Sequence, residues 1–290
     1  MTRITGTDMS DTITGTMGDD VIKMSGGLDH IDGGSGSDTM DYSRYDGELT
    51  IVLADSDPTT VYGNGAPGDV LVDIENLIGG RRNDYFAGDN SDNTFYGKGG
   101  HDYFVASNGF DHYFGGAGYD LVDYSNTGVG LVITAPTQGT SVVSGGGVDH
   151  DTLNSIERII GTAFSDKISG GAANNEFYGL GGKDMLNGGA GGDVLDGGRG
   201  NDRLTGGADA DIFVFAGRFG HDTVTDFNAH GKAHDFIDLS GVSNIPDFDD
   251  LISNHATQHG HDVVIDAANA GTITLKNVDL DHLSADQFLF

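Results

Sequence analysis

Large apolar residues return every nine positions along most of this chain, each following a polar stretch rich in glycine and aspartate. Gly33-Gly-Ser-Gly-Ser-Asp-Thr-Met-Asp41 sets the pattern G-G-x-G-x-D-x-U-x, with U a large apolar residue, and Gly115–Asp123, Gly188–Asp196 and Gly197–Thr205 repeat it. Three unbroken blocks follow the frame, with starts at 6, 15, 24 and 33; at 79, 88, 97, 106 and 115; and at 161, 170, 179, 188, 197 and 206. Across these 15 repeats the eighth position is always Ile, Val, Leu, Met, Phe or Tyr. The sixth is Asp in 13, with Asn93 and Asn175 in the others, and the first is Gly except at Met24 and Ala106. A period of nine suits neither a helix face nor an ordinary alternating strand. It predicts a sharp six-residue turn, opened by glycines that accept left-handed backbone angles, and then a three-residue strand with its central side chain inward.

A longer period lies over the short one. Asp41-Tyr-Ser43 and Asp123-Tyr-Ser125 each close a block and lead into inserts 42–78 and 124–160, which end alike in Asp73-Ile-Glu-Asn-Leu-Ile-Gly79 and Ser155-Ile-Glu-Arg-Ile-Ile-Gly161. Equivalent positions are 82 residues apart. The predicted organisation is a first unit over 1–87, a second over 88–169, repeats of a third over 170–214, and a different ending over 215–290. Leu49-Thr-Ile-Val-Leu53 and Leu131-Val-Ile-Thr134 predict strands with which the inserts continue or flank the stack. In the ending, Asp222–Phe227, Phe236–Leu239, Asp262–Ile265 and Thr272–Leu275 read as short strands, and Ile245–Ile252 as a short helix with Pro246 near its first position. A stacked array needs a terminal unit over its last open face, and 215–290 is placed to be one.

Stacking these turns lines up the apolar residues as a narrow core and the aspartates as a column. Composition sharpens the consequence: 45 acidic residues stand against 14 Lys plus Arg, a formal charge of -31, with 49 Gly and no Cys. Charge of this size opposes compaction unless a cation neutralises it. It speaks against nucleic acid or an anionic membrane as partner. Such a chain could be disordered, but 37% hydrophobic residues, with 15 Phe and 10 Tyr, suit one that packs. Carboxylate and carbonyl oxygens are the ligands hard cations such as Ca²⁺ prefer. Met1-Thr-Arg-Ile-Thr-Gly6 lacks a charged-then-apolar leader pattern, and no apolar run approaches the ~20 residues of a membrane helix.

In these repeats the sequence resembles the RTX family of secreted bacterial proteins, whose motif forms a Ca²⁺-binding parallel β-helix. The resemblance covers about residues 4–214. It implies an all-β parallel β-roll with a β-rich C-terminal cap, two nonapeptides per turn, and ions between loops two repeats apart, held by the sixth-position Asp and glycine carbonyls. Carried over, the strongest loops are Gly18/Asp20, Gly27/Asp29 and Gly36/Asp38; Gly100/Asp102, Gly109/Asp111 and Gly118/Asp120; and Gly182/Asp184, Gly191/Asp193 and Gly200/Asp202. Repeats at 6, 79, 88, 161, 170 and 206 lack the fourth glycine, which leaves Asp11, Asp84, Asp166 and Asp211 as weaker candidates, and Asn93 and Asn175 as neutral ones. Several ions are implied, on the order of nine.

Residues 206–290 also resemble the C-terminal region of serralysin-type metalloproteases, in Gly206–Phe215, Asp222–Phe227, Ile237–Gly241 and Asp286–Phe290. That likeness implies export by type I secretion machinery and an extracellular or cell-surface location. No H-E-x-x-H, G-x-S-x-G or P-loop pattern occurs. His255-Ala-Thr-Gln-His259 with His261 has the spacing of a metal pair but lacks a glutamate base. Asp226–Gly231 begins like an EF-hand loop, but its twelfth position is Ile237, which rejects it. The expectation is a secreted, non-enzymatic calcium-binding protein. An adhesin or polysaccharide-binding module of the extracellular matrix, touching glycans through calcium or through exposed aromatics such as Tyr103, Phe110 and Tyr119, is the alternative, followed by a small pore-forming or symbiosis-related protein and, least supported, a glycan-cleaving enzyme.

Overall fold

A computed structural model describes residues 1–55, 57–63, 68–134, 140–145, 150–231 and 233–290. Parts of both inserts (56, 64–67, 135–139 and 146–149) therefore lie outside the described residues. The chain is all-β, a parallel solenoid of short strands, and its contacts gather into two compact units. One holds residues 1–127 and 140–158, the other 128–139 and 159–290, so the boundary falls within the second insert.

In the first unit alternate repeats enter different sheets, so two nonapeptides complete one turn. One sheet stacks Thr2–Thr5, Asp20–Lys23, Thr39–Asp41, Asn76–Ile78, Thr94–Gly99, His112–Ala117 and Thr152–Asn154 in parallel. Its register sets Ile22, Met40, Leu77, Phe95, Tyr113 and Leu153 on one another. The intervening repeats stack Thr12–Thr14, His30–Asp32 and Val70–Val72, closed by the antiparallel pair Thr59–Thr60. They also stack Leu49–Val52, Tyr85–Ala87, Tyr103–Val105 and Leu121–Asp123, with Tyr62–Gly63 antiparallel at the edge.

The eighth-position residues are all buried, Ile13 being the most accessible at 7%. The rings of Phe86, Phe95, Phe104 and Tyr113 pack with centroids 5.7–6.4 Å apart. A three-residue strand offers few ladder hydrogen bonds, so this file of side chains supplies most of the burial.

The first insert adds rungs to the stack. Residues in register stand 18 apart inside a block and 40, 37 or 35 apart where the insert joins. The second insert repeats the arrangement in the register of Ser141 with Leu153, as Thr59 lies with Leu71. The tyrosine of Asp-Tyr-Ser turns inward: Tyr42 and Tyr124 are fully buried, and their hydroxyls donate to Asp69 (3.2 Å) and Asp151 (3.3 Å).

The second unit stacks Val132–Thr134, Lys167–Ser169, Met185–Ala190, Arg203–Ala208, Gly220–Val224 and Gly271–Leu275. A second sheet carries Glu176–Tyr178, Val194–Asp196, Ile212–Ala216, Phe236–Gly241 and Phe288–Leu289. The ending thus continues the parallel ladder beyond the last nonapeptide. It then turns antiparallel through Asp262–Asp266 and Ala256–His259, which closes the stack. The helix expected over 245–252 is a single turn, Phe248–Asp250, followed by a π-helical turn over Leu251–His255. Asp247 caps it by accepting the Asp250 N–H at 2.8 Å, so Pro246 precedes the cap instead of opening the helix.

Phe104→Ala should cost about 3–5 kcal/mol of unfolding free energy, because it empties a fully buried ring site. Phe110→Ala, at a half-exposed ring, should change it by less than about 0.5 kcal/mol. Denaturant unfolding at saturating calcium measures both; equal losses would mean the eighth position is not the core.

Candidate metal centre

Each loop is tied to the next of its column by one carboxylate oxygen. Asp102 Oδ1 accepts the backbone N–H of Asp84 at 2.8 Å, Asp120 Oδ1 that of Asp102, and Asp184, Asp202, Asp193 and Asp211 do the same for residues 18 positions earlier. A carboxylate at the sixth position reaches the backbone N–H of the stacked turn at this distance. The columns also run past the nonapeptides. Asp69 and Asp151 accept from Asp29 and Asp111, and Glu75 and Glu157 from Asp38 and Asp120. Asp222 and Asp235 accept from Asp202 and Asp211. These six acids fall outside the glycine-based frame. A plain signal could have found them, since each is an acid two residues before a buried apolar one: Leu71, Leu153, Leu77, Ile159, Val224 and Ile237.

The second oxygen of the carboxylate meets one of two fates, and the residue at position two decides which. In seven repeats position two has a positive φ: Gly34, Lys98, Gly116, Leu180, Gly189, Gly198 and Gly207. In those seven, Oδ2 of Asp38, Asp102, Asp120, Asp184, Asp193, Asp202 and Asp211 is buried with no hydrogen-bond partner. The neutral Asn175 has an equally unpartnered Oδ1. In the other repeats that carry aspartate, position two closes the loop on itself. Thr7, Thr16, Gly80 and Thr162 donate their N–H to Oδ2 of Asp11, Asp20, Asp84 and Asp166 at 2.6–2.8 Å. Ser25 and Ser107 donate their hydroxyls to Asp29 and Asp111, at 2.8 and 2.7 Å.

Glycine at position one makes room for this carboxylate: a Cβ on Gly33 or Gly197 would lie 2.7 or 2.5 Å from Oδ2 of Asp38 or Asp202. At position two, a Cβ on Gly34 or Gly116 would come 2.5 Å from the carbonyl oxygen of Thr16 or Lys98 in the turn beneath. Position four is left-handed at Gly27, Gly36, Gly100, Gly109, Gly118, Gly182, Gly191 and Gly200. Gly18 is not left-handed, whereas Asp209, with φ 78°, takes that conformation without being glycine. The loop of Asp211 therefore opens although it lacks the fourth glycine.

Buried carboxylate oxygens without donors fit a hard cation, which needs no proton and accepts oxygen ligands of mixed kind. Each loop offers one carboxylate beside backbone carbonyls, and among the described residues no three acidic or histidine side chains converge on a point. A cation held here would thus be bound by Asp38, Asp102, Asp120, Asp184, Asp193, Asp202 and Asp211 together with main-chain oxygens. The histidines of the ending do other work: His255 spans the Asp266 carbonyl (2.6 Å) and the Asp250 carboxylate (3.2 Å).

Without a cation these carboxylates resist ionisation. Burial first, then the charge of the neighbouring rungs, pushes Asp102 up to about 7 and Asp184 to about 8, and burial and Asp235 push Asp211 to about 7. Asp120, Asp193 and Asp202 rise to about 6, again chiefly by burial. Asp20 goes the other way, lowered by the Thr16 N–H. Aspartate in an unfolded chain titrates near ~3.9. Folded values above that mean the stabilisation is complete below the unfolded value and is lost as pH rises through about 6–8. In chelator, β-sheet circular dichroism should accordingly be stronger near pH ~5.5 than at pH ~8. A signal that instead grows with pH would contradict this assignment.

Comparison with known proteins agrees with the geometry. The model of the RTX calcium-binding nonapeptide repeat, four copies long, matches residues 5–41, 73–104, 151–186, 160–195 and 187–224. Two of these matches begin at Asp73 and Asp151, inside the inserts, and the last runs to Val224, so they take in several rungs outside the glycine frame. No curated protein matches the chain. Among solved structures, the extracellular lipase LipA from Serratia marcescens aligns at 22% identity and a TM-score of 0.35, over 76% of this chain and 39% of the lipase. The AlgE6R3 subunit of the Azotobacter vinelandii mannuronan C5-epimerase aligns at 28% identity and a TM-score of 0.34, over 44% of this chain and 78% of the subunit. The aspartate columns, the left-handed glycines beneath them and the repeat match together place this chain in the RTX calcium-binding repeat family.

Proposed function

We propose that this is a secreted, non-enzymatic protein that folds when it binds calcium outside the cell. The reading rests on seven buried sixth-position aspartate oxygens that have no donor, Oδ2 of Asp38, Asp102, Asp120, Asp184, Asp193, Asp202 and Asp211. In an ion-poor cytoplasm, repulsion along these columns and a net charge of -31 keep the chain loose. Extracellular modules bind calcium in the roughly 10⁻⁴ to 10⁻³ M range, which suits closure after export. Binding energy is then folding energy. The C-terminal Asp286–Phe290 would serve type I export as an unfolded tail. In the folded chain Phe288–Leu289 pairs with Ile237 and Asp238, so one segment can do both.

A second reading, as a module for acidic extracellular polysaccharide, is favoured by one surface of the second unit. The outward positions of three neighbouring strands there are Lys167 and Ser169, Met185 and Asn187, and Arg203 and Thr205. They line a shallow hollow of about 210 Å³ without a carboxylate, in a chain where acids outnumber bases threefold. The aromatics expected to touch glycans are less suited: Tyr103 stacks on Tyr85 and donates its hydroxyl to Asp123, and the Phe110 ring meets His150 edge-on.

Chelator should remove most of the β-sheet circular-dichroism signal at neutral pH and millimolar calcium restore it; indifference to both would end the folding proposal. For the second reading, Lys167→Glu with Arg203→Glu should abolish retention on an immobilised uronate polymer at saturating calcium. Unchanged retention, or none by the parent chain, would end that one.

A further inference from the structure

We infer that position two of the nonapeptide chooses between a cation and a built-in donor, so that only part of the aspartate column takes calcium. The inference rests on the calcium reading above and divides it. Where position two is left-handed, the carboxylate of the same repeat keeps an oxygen that receives no bond from it, as in the seven loops from Asp38 to Asp211. Where it is not, and the repeat carries an aspartate, position two itself supplies the donor. The correspondence between left-handed position two and unpartnered Oδ2 holds at all seven.

Two stretches of column are completed with hydroxyls. In the sheet of Thr12–Thr14, His30–Asp32 and Val70–Val72, Asp11 receives Thr7 Oγ1 (2.9 Å), Asp29 receives Ser25 Oγ (2.8 Å) and Asp69 receives the Tyr42 hydroxyl (3.2 Å). In the other sheet Asp111 receives Ser107 Oγ (2.7 Å) and the Tyr113 hydroxyl (3.0 Å), and Asp151 the Tyr124 hydroxyl (3.3 Å). Asp29, Asp69, Asp111 and Asp151 are as buried as the open rungs, so exposure to water does not explain the difference. A hydroxyl directed at Oδ2 competes with a cation for that oxygen, and it satisfies the carboxylate without bringing in charge.

The Asp-Tyr-Ser sequences gain a role in this scheme. Each ends a nonapeptide block and sends a buried phenol to the insert acid that carries the column onward. The donor takes the place of an ion where a glycine loop is missing. Met24 and Ala106, the two repeats without a leading glycine, are also the two whose position two is serine. Both departures from the motif therefore mark rungs held by hydroxyls.

Counting bound calcium by native mass spectrometry tests this. Asp102→Asn and Asp193→Asn should each lower the count by at least one ion, whereas Asp29→Asn and Asp111→Asn should leave it at the parent value. An equal drop for the second pair overturns the inference. Hydrogen exchange of the unaltered chain in chelator gives a reading that needs no variant. Amides of Thr12–Thr14 and His30–Asp32 should keep measurable protection while those of Met185–Ala190 and Arg203–Ala208 lose theirs, and protection lost alike in all four also overturns it. A parent chain that binds no calcium would sink the calcium reading itself; a parent that binds it while Asp29→Asn loses an ion sinks only the division drawn here.

Discussion

Everything in this fold hangs on what completes a buried carboxylate. From Asp20 onward, one oxygen of each sixth-position aspartate is committed to a backbone N–H of the preceding turn, and this bond, repeated along the columns, holds the short strands in register. The other oxygen then faces the interior of the loop with its charge. A buried acceptor left without a donor costs on the order of 1–3 kcal/mol, more when ionised. Seven such oxygens would be a large fraction of a domain's stability. The solenoid is thus conditional by construction: its apolar file sets the order of the turns, and the far side of each carboxylate decides whether they stay closed.

The glycines follow from the same constraint. At position one a side chain would strike the aspartate of its own repeat, and at position two or four it would strike the carbonyl of the turn below. Lys98, Leu180 and Asp209 hold positive φ without being glycine, which shows how strongly the stack imposes the loop conformation.

Much of this was legible from the residues. The nine-residue frame located the main file of core side chains, because burial of the eighth position is strictly periodic, though not Leu121, buried at a seventh position. It also located the aspartates, because a stacked turn admits one spacing. Two matters were obscured. Glu75, Glu157, Asp69, Asp151, Asp222 and Asp235 extend the columns on turns without the glycine signature, where the short motif of an acid two before an apolar residue is too common to stand out alone. The fourth glycine also looked decisive for a loop, yet Asp20, Asp29 and Asp111 have it and are closed by Thr16, Ser25 and Ser107. Asp211 lacks it and is open. The informative position was the second, whose hydroxyl or N–H acts only once the turn is formed. The inserts were ambiguous for a related reason, since their strands find partners 35 to 40 residues away and no local pattern encodes that pairing.

The two inserts carry the same antiparallel register, Thr59 on Leu71 and Ser141 on Leu153, and the same buried phenol on the same acid. A segment of 82 residues therefore begins and ends at equivalent points of the ladder. Gene duplication of such a segment adds whole turns and shifts no strand out of step. Lengthening by copying is then structurally neutral, while gain or loss of a few residues inside a block has to be absorbed in a loop, as it is where the spacing widens to 20 and 24 residues at Asp222 and Asp235.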